Sequence, residues 1–129
     1  MRLLLDTHVL LWALLEPQKL SLELRNSLED SDNTLVVSAA TAWEIATKWR
    51  LGKLQHARSV VENYAMALHR LAVVDLPISG AVARRAGLWD VPHRDPFDRL
   101  LAAQAMADDL VLASTDPAFA QFEGVVTLR

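Results

Sequence analysis

Five short apolar runs punctuate the chain, and four of them end on a side chain that can carry chemistry. Arg2 to Leu5 runs into Asp6, and Leu35 to Val37 into Ser38. Leu71 to Val74 runs into Asp75, and Leu110 to Ala113 into Ser114, Thr115 and Asp116. Val125 to Leu128 is the fifth. Short runs that are continuous in Leu and Val, rather than alternating with polar residues, mark strands buried on both faces.

Helical spacing fills the gaps. Ser59, Val60, Val61 and Glu62 have the form of a capping box, and Val60, Val61, Tyr64, Leu68 and Leu71 then recur at helical intervals. Ser38 or Thr41 can cap a helix that stops at Gly52, where a left-handed residue suits the end of a helix. Ser79 opens a segment through Trp89, and Ser21 a weaker one through Glu29. Asp95 followed by Pro96 opens another, apolar nearly all round from Leu100 to Ala107 apart from Gln104. Strands alternating with helices predict an α/β fold, a parallel sheet of about five strands covered by helices on both faces, with right-handed crossovers. Residues 1–129 are expected to form a single domain, without repeats or linkers. In such sheets ligands bind beyond the carboxyl ends of the strands, where strand order reverses. The residues just after each run therefore become the candidates for function.

Composition narrows the chemistry. Apolar residues make up 52% of the chain, too many for a disordered tail. There is no cysteine, which excludes disulfides and thiolate metal sites. No apolar stretch reaches the roughly 18 residues of a membrane span. The opening MRLLLDTHVLLWALLEP superficially resembles a signal peptide, but Asp6 and His8 interrupt it, so a strand and then a helix are expected, and a cytoplasmic location. The net charge of −3 counts against simple binding to a phosphate backbone. It counts less against an enzyme whose acids hold cations.

Taken singly, each acid has a plain explanation. Asp6 can cap the helix that follows it. Glu44 fits a capping box with Thr41, or an ion pair with Lys48 four residues on. Asp98 fits the acidic third position after the Asp95 cap, and Asp116 a cap before Pro117. Taken together they converge. Three lie at or just past strand ends, and the fourth opens the helix that leads into a strand. Two like charges about 4 Å apart repel by about 4 kcal/mol at an effective dielectric near 20, so such a cluster needs protonation or a divalent cation. All-oxygen ligands suit hard ions such as Mg2+ or Mn2+, and the matching chemistry is phosphoryl transfer to water. Trp43, Ala46 and Trp49 are expected to face the core, and Trp12 and Trp89 the core or an interface.

Four segments, LLLDTHVLLWAL, VSAATAWEIATKWRLGKL, HRDPFDRLLAAQA and LVLASTDPAF, occur in order across essentially the whole chain. In them the chain resembles the PIN-domain nucleases, and among those the VapC-type toxins of bacterial toxin–antitoxin pairs. The resemblance implies a three-layer α/β fold and a metal-dependent endoribonuclease that leaves 5′-phosphate ends. It implies Asp6, Glu44, Asp98 and Asp116 as the catalytic, metal-holding acids, with Mg2+ or Mn2+ as cofactor. Thr7 and Thr115 match the hydroxyls beside the first and last acid. His8 departs from the Asn or Ser of many members and is read as a packing or supporting residue. Lys48, Arg50, Lys53, His93 and Arg94 are candidate RNA contacts, and Arg99 a candidate partner for a neighbouring carboxylate. The resemblance further implies an RNA substrate, a small antitoxin protein and a homodimer.

Two other classes share parts of this pattern. A phosphoacceptor signalling module would use Asp6 for Mg2+ and Asp75 for the phosphoryl group, but Thr7 stands where a second acid is usual. A non-catalytic PIN-like interaction protein would have no need of all four acids. No G-x-S-x-G elbow supports a serine hydrolase.

Overall fold

The apolar run Leu3–Leu5 has no exposed residue, because strand β1 (Arg2–Leu5) lies at the centre of a five-stranded parallel sheet. The computed structural model describes residues 1–129. The other strands are β2 (Thr34–Ser38), β3 (Val73–Leu76), β4 (Val111–Ala113) and β5 (Thr127–Leu128), in the spatial order β3-β2-β1-β4-β5. Leu5 stands opposite Val37 on one side and Ala113 on the other, and the Asp6 amide continues the ladder to the Ala113 carbonyl at 3.0 Å. The chain first winds outward on one side of β1 and then crosses to the other. Strand order therefore reverses between β1 and β4, and a crevice opens at their carboxyl ends.

Alternate residues of each strand serve different cores. Leu3, Leu5, Leu35, Val37 and Val73 face helices α1 (Thr7–Leu15), α2 (Leu22–Glu29), α3 (Ala39–Arg50), α4 (Arg58–Glu62) and α5 (Tyr64–Arg70). Leu4, Val36 and Leu112 face the opposite layer, where α7 (Pro96–Ala107) contributes Leu101, Ala102 and Ala105, and the turn after β4 contributes Phe119 and Phe122. Helix α6 (Gly80–Leu88) packs along α7. The result is three layers, helix–sheet–helix, as expected. Gln104 is the polar exception in α7. It is buried, and its side-chain amide donates to the Pro77 carbonyl at 3.2 Å, tying α7 to the segment before α6.

The caps follow the sequence at most helix starts. Ser21, Ser38, Ser79 and Asp95 each accept a backbone amide at the start of their helix. Gly52, just beyond α3, takes φ +75°, where a side chain would strain the backbone.

Four expectations are corrected. Ser59 caps nothing: it lies inside α4, and Glu62 instead pairs with Arg58 at 2.9 Å. The expected continuous helix is two, broken at Asn63 (φ −142°, ψ 61°). Leu71 belongs to the end of α5 rather than to a strand, because Ala72 turns the chain at φ +53° and β3 begins one residue later. Trp43 is 58% exposed and Ala46 is exposed, while Thr41, Glu44 and Ile45 form the buried face of α3. The Trp43 ring is braced edge-on by Phe97 at 4.8 Å. Trp12 and Trp89 are half-buried and rest on the two cores.

Candidate active site

A pocket of about 80 Å3 opens at the crevice between β1 and β4, and nothing apolar lines it. Its walls are Asp6, Thr7, His8, Glu44, Lys48, Asp95, Asp98 and Asp116. Five carboxylates thus meet one lysine and one histidine in a small space. All four acids singled out from the sequence are among them.

Each acid arrives on a different element. Asp6 follows β1 and is 5% exposed, and its Oδ1 accepts the Val9 amide at 2.7 Å, so it does cap α1. Glu44 lies one turn into α3 on the buried face and is 4% exposed. Its Oε1 accepts the Thr7 hydroxyl at 2.5 Å, and its Oε2 is bonded by the Lys48 ammonium. The capping box with Thr41 is not formed, because Ser38 holds that role and Thr41 is turned towards the Thr7 hydroxyl. Asp98 stands in the first turn of α7, with its Oδ2 2.8 Å from His93 Nε2. Asp116 is exposed, and its Oδ1 accepts the Ala118 amide at 2.9 Å.

Crowding shows in the acidities. Burial is the main force raising the pKa of Asp6, with Glu44 adding to it. The Ser114 hydroxyl, the Val9 amide and His8 pull the other way. Asp98 is pushed up to about 6, chiefly by burial and then by the charges of Asp95 and Glu44, against the relief that His93 gives. Both shifts say that negative charge here is short of compensation. No three His, Asp or Glu side chains of the chain stand close enough together, as the side chains are placed, to grip one metal ion.

Several sequence candidates fall outside the pocket. Thr115 is exposed and lines no part of it, and Arg50, Lys53 and Arg94 are exposed beyond its walls. Lys48 does line the pocket, partly exposed and bonded to Glu44, whereas His93 lies outside the lining and faces Asp98. Arg99 pairs with no carboxylate: its guanidinium donates to main-chain carbonyls. Asp75 lies on the edge strand β3, away from the pocket, which leaves the phosphoacceptor reading without its second residue. Two residues were missed. Ser114, fully buried, accepts the Asp116 amide at 3.1 Å and faces Asp6, so it is the hydroxyl of the β4 end that reaches the acids. Asp95 both caps α7 and lines the pocket. The run Ser114–Asp116 offered two hydroxyls, and only the strand register distinguishes them.

A parallel sheet in this order, with its acids gathered at the switch point, defines a class. The PIN domain family model matches residues 3–125, and the chain belongs to that family. More particularly, it is 31% identical to Ribonuclease VapC22 of Mycobacterium tuberculosis over 113 residues, covering 88% of this chain and 85% of that protein. Among solved structures, it is similar in fold to the VapBC2 structure from Rickettsia felis bound to a promoter DNA fragment. That likeness has a TM-score of 0.73 at 17% identity and covers 99% of this chain and 98% of the other. FitAcB from Neisseria gonorrhoeae is also similar, with a TM-score of 0.62 at 19% identity, covering 98% and 96%.

Proposed function

We propose that the protein is a divalent-metal-dependent endoribonuclease of the VapC type, a toxin neutralised by a small antitoxin protein. The observation that carries this reading is the all-polar pocket of five carboxylates at the switch point, with burial raising the pKa of two of them. The likeness to Ribonuclease VapC22 over most of both chains supports the activity, and the likeness to VapBC2 supports the antitoxin.

The donor set fits a hard cation. It is all oxygen, small, and holds more negative charge than Lys48 and His8 can offset. Asp6, Glu44, Asp98 and Asp116 would hold Mg2+ or Mn2+. Such an ion supplies Lewis acidity toward a phosphate oxygen and lowers the pKa of water. The chain's own groups do the rest. The sheet fixes Asp6 and Ser114, and the buried face of α3 fixes Glu44. Thr7 keeps one Glu44 oxygen directed, and Lys48 offers a positive charge to whichever anion occupies the mouth. Arg50, Lys53 and Arg94 are free, exposed cations for the phosphates of an RNA strand. A second copy of the chain and the antitoxin complete the assembly in this reading. No helix is long and apolar enough to cross a membrane.

The test is to sequence new 5′-phosphate RNA ends after brief expression of the wild type and of Asp6→Asn. Ends that appear only with the wild type support the reading. Equal ends from both proteins would remove Asp6 from the chemistry. A non-catalytic interaction protein would produce none and would bind neither Mg2+ nor Mn2+.

A further inference from the structure

The seven residues between α6 and α7, Trp89–Asp95, form no helix or strand, yet they carry His93, which lies outside the pocket lining and contacts the pocket acid Asp98. One guanidinium organises them. Arg99 Nε donates to the Ala86 carbonyl at 2.9 Å. Nη1 donates to the carbonyls of Val91 at 3.3 Å and His93 at 2.7 Å. Nη2 donates to those of Trp89 and, at 3.5 Å, Gly87. An arginine has five N–H donors in a rigid fork, and here all five are used on one stretch of main chain. Two of the acceptors are carbonyls in the last turn of α6, which have no partner within their own helix.

His93 is held from several directions. Arg99 fixes its carbonyl. Its ring stands edge-on to Phe122, a core residue 1% exposed, at 5.8 Å and 87°. Its Nε2 is then 2.8 Å from Asp98 Oδ2, with both side chains less than one-fifth exposed. The bond uses one oxygen of Asp98 and leaves Oδ1 for the pocket. Arg99 follows Asp98 directly on α7, about 100° further round the helix, so one turn of helix carries both the acid and the anchor of the loop that steadies it.

We propose that Arg99 and His93 are positioning residues for the metal site, with Arg99 acting through His93 to hold the Asp98 carboxylate in its binding rotamer. This rests on the reading of Asp98 as a metal ligand. Carboxylate ligands depend on such hydrogen bonds, and losing one typically weakens metal affinity by about 10–100-fold. A role in which His93 meets RNA phosphate directly predicts no such loss.

The test is isothermal titration with Mn2+ alone, with urea unfolding of each variant as the control for folding. His93→Ala is expected to weaken Mn2+ binding by about 10–100-fold. His93→Gln, which keeps a donor, restores most of the affinity. Arg99→Met weakens binding in the same direction, Arg99→Lys less so, and the double variant His93→Ala/Arg99→Met loses little more than either alone, since both act on one contact. An arginine that served only the fold would lower the urea midpoint without changing Mn2+ affinity. Should Arg99→Met fail to fold, the His93 pair still decides. Wild-type affinity in His93→Ala, with affinity lost in Asp98→Asn, overturns the inference alone. Wild-type affinity in Asp98→Asn overturns the metal-ligand reading and this inference with it.

Discussion

At the scale of single residues, Asp98 shows what the site costs the fold. Its pKa is raised to about 6 from an ordinary 3.8, so the native state holds this proton more tightly than the unfolded chain does. The sign follows. The group's contribution to stability is fully present below about pH 4 and is lost as pH rises through about 6. Asp98→Asn removes that loss. In EDTA at pH 7 the variant should be more stable than the wild type by up to about 3 kcal/mol, and the difference should shrink toward pH 4, as urea unfolding across pH would show. The same variant should not cleave RNA. Asp6 is shifted in the same direction, so Asp6→Asn should also stabilise the metal-free protein; its amide oxygen can still accept the Val9 amide.

At the scale of elements, the start of α7 joins structure and chemistry. Asp95 accepts the Phe97 amide at 2.9 Å and the Asp98 amide at 3.4 Å. Loss of such a cap costs about 0.5–2 kcal/mol. Asp95 also repels Asp98, so Asp95→Ala should fall near the lower end of that range, read from the urea midpoint at pH 7. The strands β1 and β2 were legible because burial on both faces leaves no polar residue inside the run. Leu71 was not, because a helix end and a strand start abut there with only Ala72 between them. The failed box at Ser59 has a similar cause: its Glu62 is satisfied by Arg58, which precedes the pattern. Trp43 shows the limit of hydrophobicity as a guide. On α3 the inward face belongs to Thr41, Glu44 and Ile45, and the tryptophan is left outside. The four acids could be singled out because strand ends are recognisable and a parallel sheet brings those ends together. Ser114 and the His93–Asp98 contact could not, since they depend on register and on a loop with no periodicity.

At the scale of the whole molecule, the chain gathers more carboxylates than cations at the one edge where its topology reverses, and a bound cation should strengthen the fold. A ligand at about 100 times its Kd adds about 2.7 kcal/mol, which for a domain of this size raises Tm by roughly 10 °C. Thermal unfolding with and without Mn2+ should show that rise, EDTA should reverse it, and Asp98→Asn should reduce it. The most direct test of the central claim is cleavage of single-stranded RNA by the purified protein, with Asp6→Asn as a folded control. The account predicts Mn2+- or Mg2+-dependent cleavage that stops on adding EDTA and is absent in the variant. Full cleavage by Asp6→Asn, or cleavage that persists in EDTA, would contradict it.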